Sequence, residues 1–246
     1  MTDRITGVGG VLCIAHRGDW AASRENTVHA LRSAIDAGAD VVEIDVKTTS
    51  DGVSIVLHDD SLLRLWEADR DIRTMTAAEV ADVRGDRAED RIPTLEEVLA
   101  IFSGASAAVL VDMDSAEWAE AAQCAVRQAV GAGHLRASQV IWCGDTDGMR
   151  KVRGADPDAR IFLTWGEQAW GGPPDDALLE ALRPEAFNPY WRAVEAGGRD
   201  WAGSKGLPVS CWTVDDPAVM RRLVDAGVDA MISNRIHELL EVVRGE

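Results

Sequence analysis

Basic residues are in short supply in this chain of 246 residues: 25 lysines and arginines face 42 aspartates and glutamates, and only Lys47, Lys151 and Lys205 are lysines. The formal charge of -17 repels nucleic acid and anionic membranes, so no nucleic-acid partner is expected. A phosphate-bearing ligand would need a metal or a focused cationic pocket. Cysteine is also sparse. Cys13, Cys124, Cys143 and Cys211 form no Cys-x-x-Cys pair, and three of them sit inside apolar strand-like runs. They read as reduced core residues, which argues against a disulfide scaffold and suits a cytoplasmic location. No apolar run approaches the roughly 18 residues of a membrane span. Met1 to Gly10 lacks the apolar core of a signal peptide, and no integral membrane segment is expected. Tyrosine and phenylalanine are nearly missing, at one and three, whereas tryptophan occurs nine times. Trp20, Trp165, Trp191 and Trp212 fall at or just past predicted strand ends, where tryptophan either lines a pocket or packs between sheet and helices.

What is present is a regular alternation. Strand-like runs recur at Val11–Ala15, Val41–Val46, Ala108–Met113, Gln139–Cys143, Arg160–Thr164, Ala186–Pro189, Val209–Thr213 and Asp229–Ile232, with helical runs between them. Helix starts are marked by Thr76-x-x-Glu79 and Thr94-x-x-Glu97 capping boxes and by Asp216-Pro217, and stops by Gly38, Gly104 and Gly227. The loops Asp36–Asp40 and Asp225–Asp229 look like one helix-to-strand connection used twice. Together these predict an α/β fold, a (β/α)8 TIM barrel forming a single domain over residues 1–246. Val53–Leu57 breaks the rhythm, because Lys47–Gly52 leaves no room for a crossover helix. Asp51-Gly52 signals a hairpin turn, so this run should return antiparallel on the second barrel strand. Residues from about 47 to 92 are then a hairpin and short insertion, with one short helix near the barrel mouth.

Val41-Val42-Glu43-Ile44-Asp45-Val46 is apolar on both faces except that Glu43 and Asp45 share one. Burying two carboxylates demands compensation, either from a bound cation or from Arg17 or Lys47. Barrel active sites lie at the carboxyl ends of the strands, where His16, Glu43, Asp45, His58 and Asp112 would converge. All-oxygen ligation favours a hard divalent cation, Mg2+ or Ca2+. Two histidines left free of it could serve as general acid and base.

The pattern His16-Arg17-Gly18, Glu25-Asn26-Thr27, Glu43-x-Asp45, Asp51-Gly52, His58-Asp59 resembles the glycerophosphodiester phosphodiesterases. Thr76–Glu79, Ile92–Leu99 and Cys211-Trp212-Thr213-Val214 are similar to later landmarks of that family, so the resemblance spans nearly the whole chain. It implies a phosphoric diester hydrolase that binds one divalent cation, Mg2+, Ca2+ or Mn2+, and splits a glycerophosphodiester into glycerol 3-phosphate and an alcohol. His16 and His58 would be the acid/base pair, Glu43, Asp45 and Asp112 the metal ligands, and Arg17 a phosphate ligand. Glu25, Asn26, Lys47 and Trp212 are further candidates for contact with the small-molecule phosphodiester, although Asn26 also reads as the cap of the helix that follows. Two departures stand out. Asp112-Met113-Asp114 replaces a Glu-x-Lys pattern, and Ile232-Ser233-Asn234 replaces a last strand that tends to end in Thr-Asp. Asp114 leaves three readings open: a second cation, Lys47 standing in for the missing lysine, or a repurposed site. The rival functions are a same-fold lyase forming a cyclic phosphate and a metal-retaining protein that binds phosphodiesters without turnover.

Overall fold

The computed structural model describes residues 10–87, 90–166 and 171–245. Its strands are β1 (Leu12–His16), β2 (Val41–Thr48), β3 (Ser54–Val56), β4 (Ala108–Met113), β5 (Val140–Gly144), β6 (Arg160–Trp165), β7 (Ala186–Pro189), β8 (Ser210–Cys211) and β9 (Ala230–Ser233). Eight of them are parallel and hydrogen-bond in the order β7-β6-β5-β4-β2-β1-β9-β8. Parallel bridges from Phe187 to Val209 and from Tyr190 to Trp212 join the two ends of that order. The result is a nearly closed eight-stranded barrel with helices between successive strands.

Strand periodicity sorts the side chains into two cores. Ile14, Val41, Leu110, Ile141, Phe162 and Ile232 pack inside the barrel, whereas Val42, Ile44, Val46, Val109 and Val111 pack outward against the helices. Glu43 and Asp45 alternate with the outward set and therefore continue the inward face begun by Val41. Register aligns them with their neighbours: His16 stands opposite Glu43, and Asp45 opposite Asp112.

The reused loop is physically the same device in both places. Asp40 accepts the Cys13 backbone N–H at 2.8 Å, and Asp229 accepts that of Val209 at 2.8 Å. In each loop a left-handed glycine, Gly38 or Gly227, lets the chain leave the helix. Both capping boxes form, and Asp216 caps the helix that Pro217 opens. Cys13, Cys143 and Cys211 are buried, Cys124 is exposed, and all four are free thiols. No helix among the described residues is long and apolar enough to cross a membrane.

β3 returns antiparallel on β2, pairing Val46 with Val56 and Thr48 with Ser54. The Leu57 N–H then reaches the Asp45 carbonyl at 3.0 Å, which delivers His58 to the level of the inward acids. The excursion beyond it is more structured than a single short helix. Helices Leu63–Trp66 and Ala77–Ala81 flank a 3-10 turn at Ile72–Thr74, and Leu57, Leu62, Trp66, Ile72, Met75 and Val80 form an apolar cluster of their own. Acidic and basic surface residues mask that cluster in the sequence.

Candidate active site

The loop after β1 carries three residues in the left-handed region, Arg17, Gly18 and Asn26. At Gly18 a Cβ would stand 2.7 Å from the Ala30 backbone, so only glycine lets the loop press onto the helix Val28–Asp36. Asn26 does not cap that helix, contrary to expectation. Thr27 is the cap, accepting from the Ala30 N–H, while the left-handed turn at Asn26 aims its amide at Asp45 Oδ2, 2.8 Å away.

Arg17 is the hub of this corner. Its backbone N–H donates to Glu43 Oε2 at 3.0 Å and its Nη1 to Glu25 Oε1 at 3.0 Å. Nε lies 2.9 Å from Asp45 Oδ2 without aiming its N–H there, so that contact is coulombic rather than a hydrogen bond. Burial works against the guanidinium, but Asp45, Glu43 and Glu25 together hold its pKa above the ordinary arginine value. Glu25 in turn accepts a fork from Arg64, at 2.8 and 3.1 Å, which ties the insertion to the site.

Glu43, Asp45 and Asp112 offer carboxylate oxygens that all lie within 4.8 Å of one another. Arg17 is the cation beside them, and Glu25 shares it. The shortfall of positive charge shows in the acids themselves. Burial, then repulsion from Asp45 and Asp112, raises the Glu43 pKa well above the carboxylate range. Burial and Asp45 push Asp112 up to about 7. A hard divalent cation fits this all-oxygen donor set and would remove the shortfall. Asp112 reaches its place only because residue 144 is glycine: a Cβ there would fall 2.3 Å from Asp112 Oδ1 and 2.2 Å from the Met113 carbonyl.

A cavity of about 530 Å³ opens over these acids, bordered by His16, Arg17, His58, Trp165 and Trp212. His16 Nδ1 meets Asn234 Oδ1 at 2.6 Å, and its Nε2 lies 3.8 Å from Glu43 Oε2. Burial, and after it the neighbouring Arg17 charge, depresses the His16 pKa. His58 Nδ1 donates to Asp59 Oδ1 at 2.6 Å. Glu25 and Asn26 do not border the cavity; they hold Arg17 and Asp45, which do.

Asp114 borders the same cavity but is not one of the three clustered acids. It is bound by Lys47 Nζ at 2.5 Å and by the Trp118 indole N–H at 2.8 Å. Lys47 is fully buried, bridges Asp114 to Asp60 at 2.8 Å and lies over the Trp118 ring. Burial opposes its charge, yet the bonds from Asp114 and Asp60 hold its pKa above the usual lysine value. Lys47 thus faces an adjoining cavity of about 570 Å³, which shares His58 and Asp114 with the first. Sequence reasoning did not single out Arg64, Asp60, Gly144 or Asp215. Their roles depend on contacts across long sequence separations that no local pattern announces.

Comparison with known proteins agrees with this geometry. The model of the glycerophosphoryl diester phosphodiesterase family matches residues 16–238. A glycerophosphodiester phosphodiesterase of Caldanaerobacter subterraneus is 28% identical over 95% of this chain and 98% of its own length. One of Bacillus subtilis is 27% identical over 91% of this chain and 83% of its own. Among solved structures, a phosphodiesterase of Oleispira antarctica superposes with a TM-score of 0.83 at 21% identity, covering 94% of this chain and 96% of that one. With the barrel, its acidic rim and a family match across nearly the whole length in agreement, this chain belongs to the glycerophosphoryl diester phosphodiesterase family and is a phosphoric diester hydrolase.

Proposed function

We propose that the enzyme splits glycerophosphodiesters into glycerol 3-phosphate and an alcohol, with His16 and His58 moving the protons and one divalent cation held by Glu43, Asp45 and Asp112. The observation that carries this reading is the meeting, at one cavity, of three under-compensated carboxylates and two imidazoles, His16 and His58. The Oleispira antarctica relative was solved with sn-glycerol-3-phosphate as product, which supports the same retained half here.

In this mechanism Arg17, steadied by Glu25, presents its guanidinium to a phosphoryl oxygen. One imidazole takes a proton from the attacking water as its oxygen forms the new P–O bond. The other protonates the departing alkoxide as the ester P–O bond breaks. Glu43, Asp45 and Asp112 would hold the divalent cation, Mg2+ or Ca2+ by donor chemistry, which when bound would supply positive charge to offset that of the phosphoryl group. Lys47 acts one step back by cancelling Asp114, which would otherwise set a bare negative charge beside the phosphate. Trp165 and Trp212 give the cavity an apolar wall, which suits a bulky alcohol better than a small one.

The test is release of glycerol phosphate from glycerophosphocholine with Mg2+, Ca2+ or Mn2+, each against chelator, with products followed by phosphorus NMR. Turnover with at least one metal, lost on chelation and yielding a linear monoester, is expected. A cyclic phosphate that persists would overturn hydrolysis as the route, and turnover indifferent to chelator would overturn the cation.

A further inference from the structure

Asn234 follows β9 at the mouth of the barrel, and its side chain lies between His16 and a carboxylate. Its Nδ2 donates to Asp215 Oδ2 at 2.7 Å, while its Oδ1 meets His16 Nδ1 at 2.6 Å. An amide's two ends cannot usually be told apart by shape. Here the carboxylate decides, because it only accepts and so must face the NH2 group. The oxygen left toward His16 also only accepts, so His16 Nδ1 must carry a hydrogen. The opposite amide orientation would set oxygen against carboxylate and lose the Asp215 bond.

Asp215 is itself held firmly. Its Oδ1 accepts the Asn234 backbone N–H at 2.9 Å and the Ser233 hydroxyl at 3.1 Å, and the Arg235 N–H in turn bonds the Ser233 oxygen at 2.9 Å. These contacts span the loop before the helix Pro217–Asp225 and the end of β9. They tie both residues of the Ser233-Asn234 departure noted in the sequence to one carboxylate.

We infer that Asp215 is a positioning residue: it clamps the Asn234 amide so that neutral His16 is held as the Nδ1–H tautomer with its Nε2 lone pair turned to the cavity. The inference rests on the reading of His16 as one of the two proton-transfer groups. It assigns function to two residues that touch neither phosphate nor cation, Asp215 and Asn234.

Asp215→Asn is the discriminating variant. It keeps an oxygen for the Asn234 N–H and the Ser233 hydroxyl, so the loop retains its local bonds, but it can turn an NH2 group toward Asn234 Nδ2. The cation-free protein labelled with nitrogen-15 at histidine reports tautomers directly by long-range nitrogen–proton NMR, with His16→Gln identifying the His16 signals. The wild-type His16 should show a protonated Nδ1 and an unprotonated Nε2. In Asp215→Asn the two forms should mix, and kcat should fall about tenfold or more, within the roughly 100- to 10,000-fold that acid–base catalysis contributes. KM and metal affinity should stay within about twofold, since neither ligand set is touched. The exchange Asp215→Asn with Asn234→Asp should restore both the tautomer and most of kcat by putting the carboxylate directly on His16.

A His16 that remains wholly Nδ1–H in Asp215→Asn overturns the clamp, whatever the activity does. A double exchange no better than the single variant in either readout overturns it equally. A tautomer that shifts and recovers as described while kcat never responds upholds the clamp and overturns the catalytic reading of His16.

Discussion

Two groups of three acids sit within a few residues of each other at the barrel mouth, and they are opposites. Glu43, Asp45 and Asp112 are largely buried beside Arg17, which Glu25 shares, and burial with mutual repulsion raises the Glu43 pKa and pushes Asp112 up to about 7. Asp59, Asp60 and Asp114 are partly solvated and each is paired with a cation, Arg64 for the first and one shared lysine, Lys47, for the other two. Adjacency of acids in sequence therefore says little about metal binding. What separates the groups is whether the fold supplies counter-charge before any ion arrives. The first group is a charge deficit waiting to be filled; the second is a finished ion-pair network.

That contrast can be broken experimentally, most severely at the first group. Asp45→Asn, or chelation of the wild type, should lower kcat/KM by about a thousandfold or more, the loss of several kcal/mol of charge stabilisation. Steady-state assays with titrated metal check it, and residual activity unaffected by metal would place Asp45 outside the ligand set. Lys47→Met keeps the buried stem while removing the charge that answers Asp114. Turnover should fall about tenfold or more with the metal dissociation constant within about twofold, measured by calorimetry. Equal turnover would show that Asp114 is harmless without its partner.

The pH dependence sharpens the same comparison. An unfolded aspartate ionises near pH 4, whereas Asp112 in the fold keeps its proton up to about 7. The fold therefore binds more protons than the unfolded chain across that window, and the cation-free protein should lose stability as pH rises from about 4 to 7. Metal needs the ionised form, so its affinity should weaken about tenfold from pH 8 to pH 6, and the gain in melting temperature on adding metal should be larger at pH 8 than at pH 5.5. A gain independent of pH would remove Asp112 as a ligand. The smallest effect belongs to the second group: Asp114→Asn leaves Lys47 paired with Asp60, and should change turnover by less than about threefold and unfolding free energy by about 0.5 kcal/mol or less.

The sequence made the barrel readable because its strands are buried on both faces and its helix ends carry explicit caps. Glu43 and Asp45 stood out by interrupting such a strand, and Asp51-Gly52 announced the turn that brings His58 back. The readings that fell short share one cause. Asn26 looked like a cap because Asn before a helix usually is one, but its left-handed backbone hands that duty to Thr27 and sends the amide to Asp45, 19 residues away. The insertion read as one short helix because its apolar positions, Leu62, Trp66, Ile72 and Met75, are spaced by no single period. Asp215, 19 residues before Asn234, carried no motif at all. Periodicity reports which face of an element is buried; it is silent about which side chains meet across elements.

The fork that Arg64 extends to Glu25 also bears on how this protein can be engineered. Arg64 belongs to the excursion after β3, while Glu25 bonds Arg17, the proposed phosphate ligand, so the two modules share one carboxylate. Trimming residues 59–92 to obtain a minimal barrel would leave Glu25, almost wholly sealed from water, with a single cation instead of two. The excursion is thus part of the scaffold of the mouth, and grafting this active site onto another barrel would require carrying the excursion with it.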